Sequence, residues 1–295
     1  MRIALLVQCH CLPKQINMLL DVMNSDDIDI FIHVDKKSDI IKDLTHRENI
    51  FFVKDNDRID VRWATISQVD ATLVLLRYAM EQSASYDYFF LISGQDFLIK
   101  TVEEMLLFFK QNAGKNFVNL FESKSILGKP TNYDKRNEIV YPKWCLRKGL
   151  VYRVLRRIYV ALTGGYYHTW RICKRKNILG LIFYFGSSWW CLSAAFVKYM
   201  MDYLTNHPQY YSFFKKSCCP DESFFQTLLM NSPFADTRCE YLHYIDWTGC
   251  SNSPNVLHMR DYTSVKNSSA LMARKCDMRN DGGLVEKLYK EMKDK

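Results

Sequence analysis

The chain has 295 residues, enough for one or two domains. Hydrophobic residues make up 48% and charged residues 24%, with 11 Gly and 7 Pro, a balance that excludes wholesale disorder, collagen-like repeats and low-complexity chains. The formal net charge of +8 favours an anionic partner such as phosphates, a lipid surface or nucleic acid, and 18 Tyr, 18 Phe and 6 Trp supply rings for a core and for sites that hold sugars or bases.

Ile3 to Val7 reads as a buried first strand. Its five apolar residues are too few for a signal-peptide core and no small-residue cleavage site follows, so the expected location is cytoplasmic. Without a signal, the ten cysteines are expected to stay reduced as small buried hydrophobes. Cys9-His10-Cys11 and Cys218-Cys219 lack the C-x2-C spacing of a zinc site. A helix is expected over Lys14 to Met23 after Pro13, a second strand over Ile28 to Val34 and a third over Ile50 to Val53. Ser67 to Met80 reads as a helix with Val69, Leu73, Leu76 and Met80 on one stripe. Tyr88 to Ile92, apolar throughout, suits a central strand of a parallel sheet. Thr101 caps a helix with Glu103 and Glu104 in its first turn, and Phe117 to Phe121 is a fifth strand. Strands alternating with helices predict βαβ units, hence an α/β fold with a mostly parallel central sheet.

Beyond Phe121 the rhythm breaks. From Ile139 to Met201 there is no Asp or Glu, while Lys and Arg recur from Lys143 to Lys198 among aromatic and aliphatic residues. Val151 to Leu162 reads as a basic amphipathic helix. Such a segment is either a solvated face of an inserted subdomain or a surface for anionic headgroups or a pyrophosphate-linked acceptor. No nucleic-acid motif accompanies the charge. Ile178 to Val197 is uncharged and long enough to span a bilayer, but Gly186-Ser187-Ser188 and Trp189-Trp190 lie at its centre, so a strand, a turn and a second strand, then a helix from about Ala194, fit better. Asp221 to Met230 is expected as a helix, Tyr241 to Ile245 as a strand and Leu284 to Met292 as a terminal helix.

In parallel sheets ligands bind beyond the carboxyl ends of strands. There the sequence places Asp35, suited to a ribose or a uracil N–H, and the run Ser93-Gly94-Gln95-Asp96, with a glycine for close approach, an amide and a carboxylate. Glu222, in Pro220-Asp221-Glu222-Ser223, can project from a helix start and accept the proton of an attacking hydroxyl. Arg274 and Lys275 are adjacent cations suited to a diphosphate leaving group. Asp246 and Trp247 offer a carboxylate beside an aromatic platform for a pyranose. Each also has a plain structural reading as a turn cap, first-turn acid, surface pair or core ring. Asp55-Asn56-Asp57 matches the Asp-x-Asp pattern of metal-dependent transferases, but so does Asp27-Ile28-Asp29, and neither discriminates.

Taken together the motifs resemble the core-2/I-branching β-1,6-N-acetylglucosaminyltransferase family, which includes peptide O-xylosyltransferases. The matching runs are Phe31 to Lys37, Trp63 with Ser67 and Val69, Tyr86 to Phe97, Gly186 to Trp190, Pro220 to Phe224 and Leu271 to Asp277, in the family's order. The basic insert, Ser123 to Leu179, is least covered. The resemblance implies a GT-A-like, Rossmann-type single domain over residues 1–295, with the basic, aromatic-rich insert at 123–179 within it. It also implies inverting transfer without a metal ion or other cofactor, from a UDP-sugar carrying N-acetylglucosamine or xylose to a glycan hydroxyl. It assigns Glu222 as catalytic base and Lys275 to the diphosphate. Arg260 or Arg274 assists Lys275, and Asp35, Trp63, Gln95 and Asp96 lie along the nucleotide-sugar. Trp189, Trp190, Asp246 and Trp247 are placed at the sugar and acceptor sites. Cys276 stands where the family usually has Phe, and Leu98 where it has Pro; both read as packing changes. The expected acceptor is a lipid-linked bacterial surface glycan met at an anionic membrane face. The competing expectations are a catalytically inactive glycan- or nucleotide-binding protein and a metal-dependent transferase using Asp55 and Asp57.

Overall fold

The computed structural model describes residues 1–140, 144, 149–162, 175–249 and 253–294. Of the basic insert, Lys143, Arg147, Lys148, Arg171 and Lys174 lie outside the described residues.

Strands β1 (Ile3–Cys9), β2 (Ile28–Val34), β3 (Ile50–Phe52) and β4 (Tyr88–Ser93) run parallel, with β1 between β2 and β4. Further along the chain come β5 (Asp96–Leu98), β6 (Asn116–Phe117), β7 (Trp190–Ser193), β8 (Arg238–Cys239), β9 (His243–Ile245) and β10 (Met272–Arg274). The main sheet has seven strands in the order β3-β2-β1-β4-β7-β6-β8, with β7 antiparallel to both neighbours. A second sheet has the order β5-β10-β9, with β10 antiparallel to β5 and parallel to β9.

Both faces of the main sheet are covered, which is why its strands read as unbroken apolar runs. One face carries Ile3, Leu5, Val7, Ile30, Ile32 and Phe90 against helices α1 (Pro13–Val22), α3 (Val102–Gln111) and, at the chain's end, Gly283–Lys293. The other carries Ala4, Leu6, Phe31, Phe89 and Leu91 against α2 (Ser67–Met80) and the helices Ala194–Asn206, Pro208–Phe214 and Phe224–Met230. Each fully buried Leu, Ile or Phe contributes about 1.5–3 kcal/mol relative to exposure. Thr101 caps α3 with a full capping box: its side chain accepts from the Glu104 N–H and Glu104 accepts from the Thr101 N–H. Cys276 and Leu98 are both buried in the first of these cores.

Four expectations change. The fifth strand is only Asn116–Phe117, and residues 177–189 form no strand, so regular structure there begins at Trp190. The expected helix from Asp221 is instead a 3-10 turn, Pro220–Glu222, followed by a helix starting at Phe224. Trp190 is fully buried within β7 against Phe225, so no sugar reaches it and its expected sugar-binding role does not hold. Helix Leu150–Leu162 forms as expected. No helix among the described residues is long and apolar enough to cross a membrane.

Candidate active site

The carboxyl ends of β1, β2 and β4 meet at one edge of the main sheet. After β2 the Asp35 N–H donates to the Cys9 carbonyl (2.8 Å). The Asp35 carboxylate then accepts from the Lys37 N–H (2.9 Å) and its ammonium (3.1 Å). The buried Arg58 holds this turn from beneath, donating to the carbonyls of Val34 (2.9 Å) and Asp35 (2.8 Å) and to that of Ser38. His33 accepts from the Ile59 N–H (2.9 Å) through Nε2, and burial pushes its imidazole down to about 4, so it is neutral. The Lys37 ammonium also donates to the Val61 carbonyl (2.7 Å), which brings Trp63 alongside.

At the end of β4 the Asp96 carboxyl is fully buried. Its oxygens accept from Arg274 Nη1 (2.6 Å) and the Ser93 N–H (2.6 Å), and His243 lies 3.6 Å away. Burial alone would raise this carboxyl, but the Arg274 charge, His243 and the Ser93 N–H outweigh it and hold it at about 2. Asp96 therefore touches no ligand directly; it anchors Arg274, which corrects the expectation of a nucleotide-sugar contact. The Arg274 guanidinium also reaches Ser93 Oγ and lies 4.7 Å from the centre of the Trp189 ring. Trp189 is buried beneath that cation. Gln95 spends its amide on Asp277 (3.0 Å) and accepts the Cys276 N–H (2.8 Å) through its carbonyl, pinning the Lys275 segment to the sheet edge. No described side chain hydrogen-bonds or ion-pairs with the half-buried Lys275 ammonium.

Glu222 ends the 3-10 turn Pro220–Glu222. Gly186 donates its N–H to the Glu222 carbonyl (2.8 Å), and Ser188 Oγ donates to Asp221 (2.6 Å). A Cβ on Gly186 would sit 1.8 Å from the Asn119 carbonyl oxygen, so only glycine lets this strap cross. One residue after Ser188, Trp189 lies under Arg274, which adjoins Lys275. That path ties the carboxylate of the Pro-Asp-Glu turn to the cations of the Arg-Lys run. The Cys219 N–H donates to the Ala64 carbonyl (3.1 Å), setting Trp63 next to the same turn. Trp63 is 64% and Trp247 45% exposed, so among the described tryptophans these two offer open rings.

Two arginines carry weight that the sequence does not advertise. Arg136, on the short helix Lys135–Glu138, ion-pairs with Glu222, 86 positions further along the chain, and Asn137 beside it donates to Ser223 Oγ (2.8 Å). Nothing in the pattern around Arg136 marks it. Arg58 has a faint signal, being a single cation among Asp55, Asp57 and Asp60. The Asp-x-Asp candidates are engaged elsewhere. Asp55 pairs with Arg58 (2.8 Å), Asp57 accepts from Tyr78 (2.5 Å), and the buried Asp29 accepts from Tyr86 (2.6 Å) and Arg2.

Beyond β9, Asp246 accepts from the Thr248 N–H (2.8 Å) and Asn255 (2.8 Å), and these bonds hold its carboxyl below the usual range while they shape the loop. The loop is docked on the site, because the Leu257 N–H donates to the Lys275 carbonyl (2.9 Å). Arg260, 81% exposed, stands beyond it with Asp261 at 3.9 Å.

A model of the core-2/I-branching enzyme family matches residues 14–163 and 167–269. The chain belongs to that family. Xylosyltransferase 2 of Homo sapiens is 26% identical over 284 residues, covering 87% of this chain and 29% of the relative. Xylosyltransferase 1 of Rattus norvegicus is 26% identical over 291 residues, covering 88% and 31% respectively. The chain thus spans less than a third of the length of these curated relatives. The apo structure of the WbbM bifunctional glycosyltransferase overlays with a TM-score of 0.43 at 10% identity, over 99% of this chain and 51% of that one, a distant likeness.

In this core-2/I-branching enzyme the two acids of the turn differ in environment. Burial, then the neighbouring Glu222 charge, pushes Asp221 up to about 7, against the opposing Ser188 hydrogen bond. Asp221 is buried while Glu222 retains an exposed edge, so only Glu222 can meet an acceptor. In the unfolded chain Asp221 ionises near the ordinary 3.8, so its ionisation penalises the fold progressively from there through about 7. Asp221→Asn removes the penalty while leaving an acceptor for Ser188. Urea unfolding is expected to show a gain on the order of 4 kcal/mol over wild type at pH 8 and almost none at pH 4.

Proposed function

We propose that this enzyme moves a sugar from a UDP-sugar to a hydroxyl of a glycan acceptor with inversion. What supports the reading is the path from the Pro220–Glu222 turn through Ser188 and Trp189 to Arg274, the chain neighbour of Lys275, together with a partly exposed Glu222 carboxylate and a Lys275 ammonium that no described side chain hydrogen-bonds. Glu222 takes the acceptor proton. The acceptor oxygen forms a bond to the anomeric carbon from the face opposite the diphosphate. The bond from that carbon to the phosphate oxygen breaks, and its electron pair leaves with UDP, whose growing charge Lys275 meets. Arg260 is the freer second cation, since Arg274 is committed to Asp96 and Ser93 and serves to fix the strand that presents Lys275. Asp35 lies where a uridine would reach the end of β2, and Trp63 and Trp247 supply faces for sugar rings.

The donor is a UDP-sugar of N-acetylglucosamine or xylose. Xylose draws support from the xylosyltransferase relatives, and the acceptor-side aromatics suit either sugar. The acceptor is a glycan on a lipid diphosphate, in surface-polysaccharide synthesis; the acid-free, basic stretch of sequence from Ile139 to Met201 supports this. No metal ion takes part in this reading; side-chain cations hold the diphosphate.

The test pairs a thermal-shift screen of UDP-sugars with product analysis by NMR, each with and without EDTA. A donor that raises the melting point and yields a product of inverted anomeric configuration in EDTA supports the reading. Activity that vanishes in EDTA and returns with manganese overturns its metal-free part. A second reading, a nucleotide-sugar binder without turnover, draws on the Arg136 ion pair that covers the Glu222 carboxylate; binding of a UDP-sugar with no transfer would establish it.

A further inference from the structure

Helix Leu150–Leu162 has an apolar stripe that faces no core. At 100° per residue, Leu150, Val151, Val154, Leu155, Ile158 and Leu162 fall within an arc of about 140°. Each of the six is between 43% and 75% exposed. Arg153, Arg156 and Arg157 occupy the opposite arc, roughly 240–340° on the same wheel. The helix is tethered along its remaining side, where Tyr159 Oη donates to the Val140 carbonyl (3.2 Å) and its ring packs edge-on against Trp144 (5.5 Å). Apolar residues left in water along one whole side of a helix oppose folding stability unless something covers them.

Charge decides what covers them. A stripe of Leu, Val and Ile with arginines on the other arc and no carboxylate from Ile139 to Met201 is complementary to an apolar layer topped by negative headgroups. Arginine stems are long enough to reach headgroups while the stripe enters the acyl boundary. We propose that Leu150–Leu162 is an interfacial helix that lies in the surface of an anionic bilayer. Within the insert the chain on either side of this helix meets near the Glu222 turn: the Arg175 N–H donates to the Glu138 carbonyl (2.7 Å), and Arg136, two positions before Glu138, ion-pairs with Glu222. A bilayer bound by this helix therefore lies beside the Glu222 side of the cleft. This deepens the lipid-linked acceptor reading and rests on it only for the acceptor; the membrane contact stands on the helix alone.

The experiment is flotation of the full chain with vesicles of phosphatidylcholine, with and without phosphatidylglycerol, at low and high salt. Wild type is expected to float with the anionic vesicles and to be released by salt. Val154→Asp with Ile158→Asp is expected to cut binding at least about tenfold, by placing charges where methyl groups enter the bilayer. Replacing Arg153, Arg156 and Arg157 by Gln is expected to cost roughly fivefold per arginine on anionic vesicles. Circular dichroism checks that the variants remain folded. Wild type that fails to float with anionic vesicles at low salt overturns the proposal, whatever the variants do. So does sedimentation showing a dimer that V154D/I158D dissolves, with no vesicle binding, which would assign the stripe to a second copy. Flotation uses neither donor nor acceptor, so failure of the transfer assay leaves this result standing.

Discussion

Glu222→Gln is expected to lower kcat about 100- to 10,000-fold while leaving the Kd for UDP unchanged. The amide keeps the shape of the side chain and still accepts a hydrogen bond from Arg136, but it has no pair of electrons basic enough to take the acceptor proton. Lys275, on the cation side of the cleft, is untouched, so nucleotide binding measured by calorimetry remains as in wild type. An unchanged kcat would remove the base from Glu222 and undo the proposed mechanism. Arg136→Met supplies the complementary arm. The guanidinium covers the carboxylate, so an acceptor must share or displace it. If Arg136 only holds Glu222 in place, Arg136→Met lowers kcat by disordering the base. If it blocks the acceptor, the same variant lowers KM instead. In either case the effect is expected to be smaller than that of Glu222→Gln, because Arg136 transfers no proton.

The frame of this fold was legible because its cause is local. Ile28–Val34 and Ser67–Met80 form with the expected bounds, but the buried stripe of the helix runs through Val69, Thr72, Leu76 and Ala79, while Leu73 is only half-buried and Met80 is exposed, because the small Ala and Thr side chains let the helix lie close on the sheet. Strands β5, β8 and β10 were not legible. Each has two or three residues, too short for any period, and exists because a distant strand supplies its hydrogen bonds. The helix expected from Asp221 fails for a related reason. Gly186 and Ser188 bind the backbone and side chain of the Pro220–Glu222 turn, and that tertiary demand overrides the first-turn acid signal.

At the site, residue types were readable and partners were not. Asp35, Glu222 and Lys275 could be picked out because their chemistry and their position at strand or turn ends coincide. The fully buried Asp96 and Trp190 look like ligand contacts in the sequence because a motif shows which residues matter without showing which way they face. Arg136 was invisible, being joined to Glu222 only through space. A motif read as a set of ligand contacts thus mixes two kinds of residue, those that meet a substrate and those that hold them.

Asp96→Ala is expected to lose about 3–5 kcal/mol of stability, a fall in Tm on the order of 10 °C. Arg274, whose side chain is only 14% exposed, would be left as an uncompensated buried charge between Ser93 and Trp189. The double variant Asp96→Leu with Arg274→Met is expected to recover most of the loss, because no charge then remains to be desolvated. Acid provides an independent check. The Asp96 carboxyl is held at about 2 in the fold against an ordinary 3.8, so its stabilisation is fully present above the ordinary value. It fades as pH falls through about 2 and amounts to about 2 kcal/mol. Truncation costs more than this titration because protonation leaves a neutral acid that still hydrogen-bonds to Arg274, whereas alanine leaves nothing. Urea unfolding of wild type and of the double variant from pH 5 to pH 2 should therefore converge as the acid neutralises Asp96. Parallel curves would show that this carboxyl does not hold Arg274, and the account of how Lys275 is presented to the cleft would fall with it.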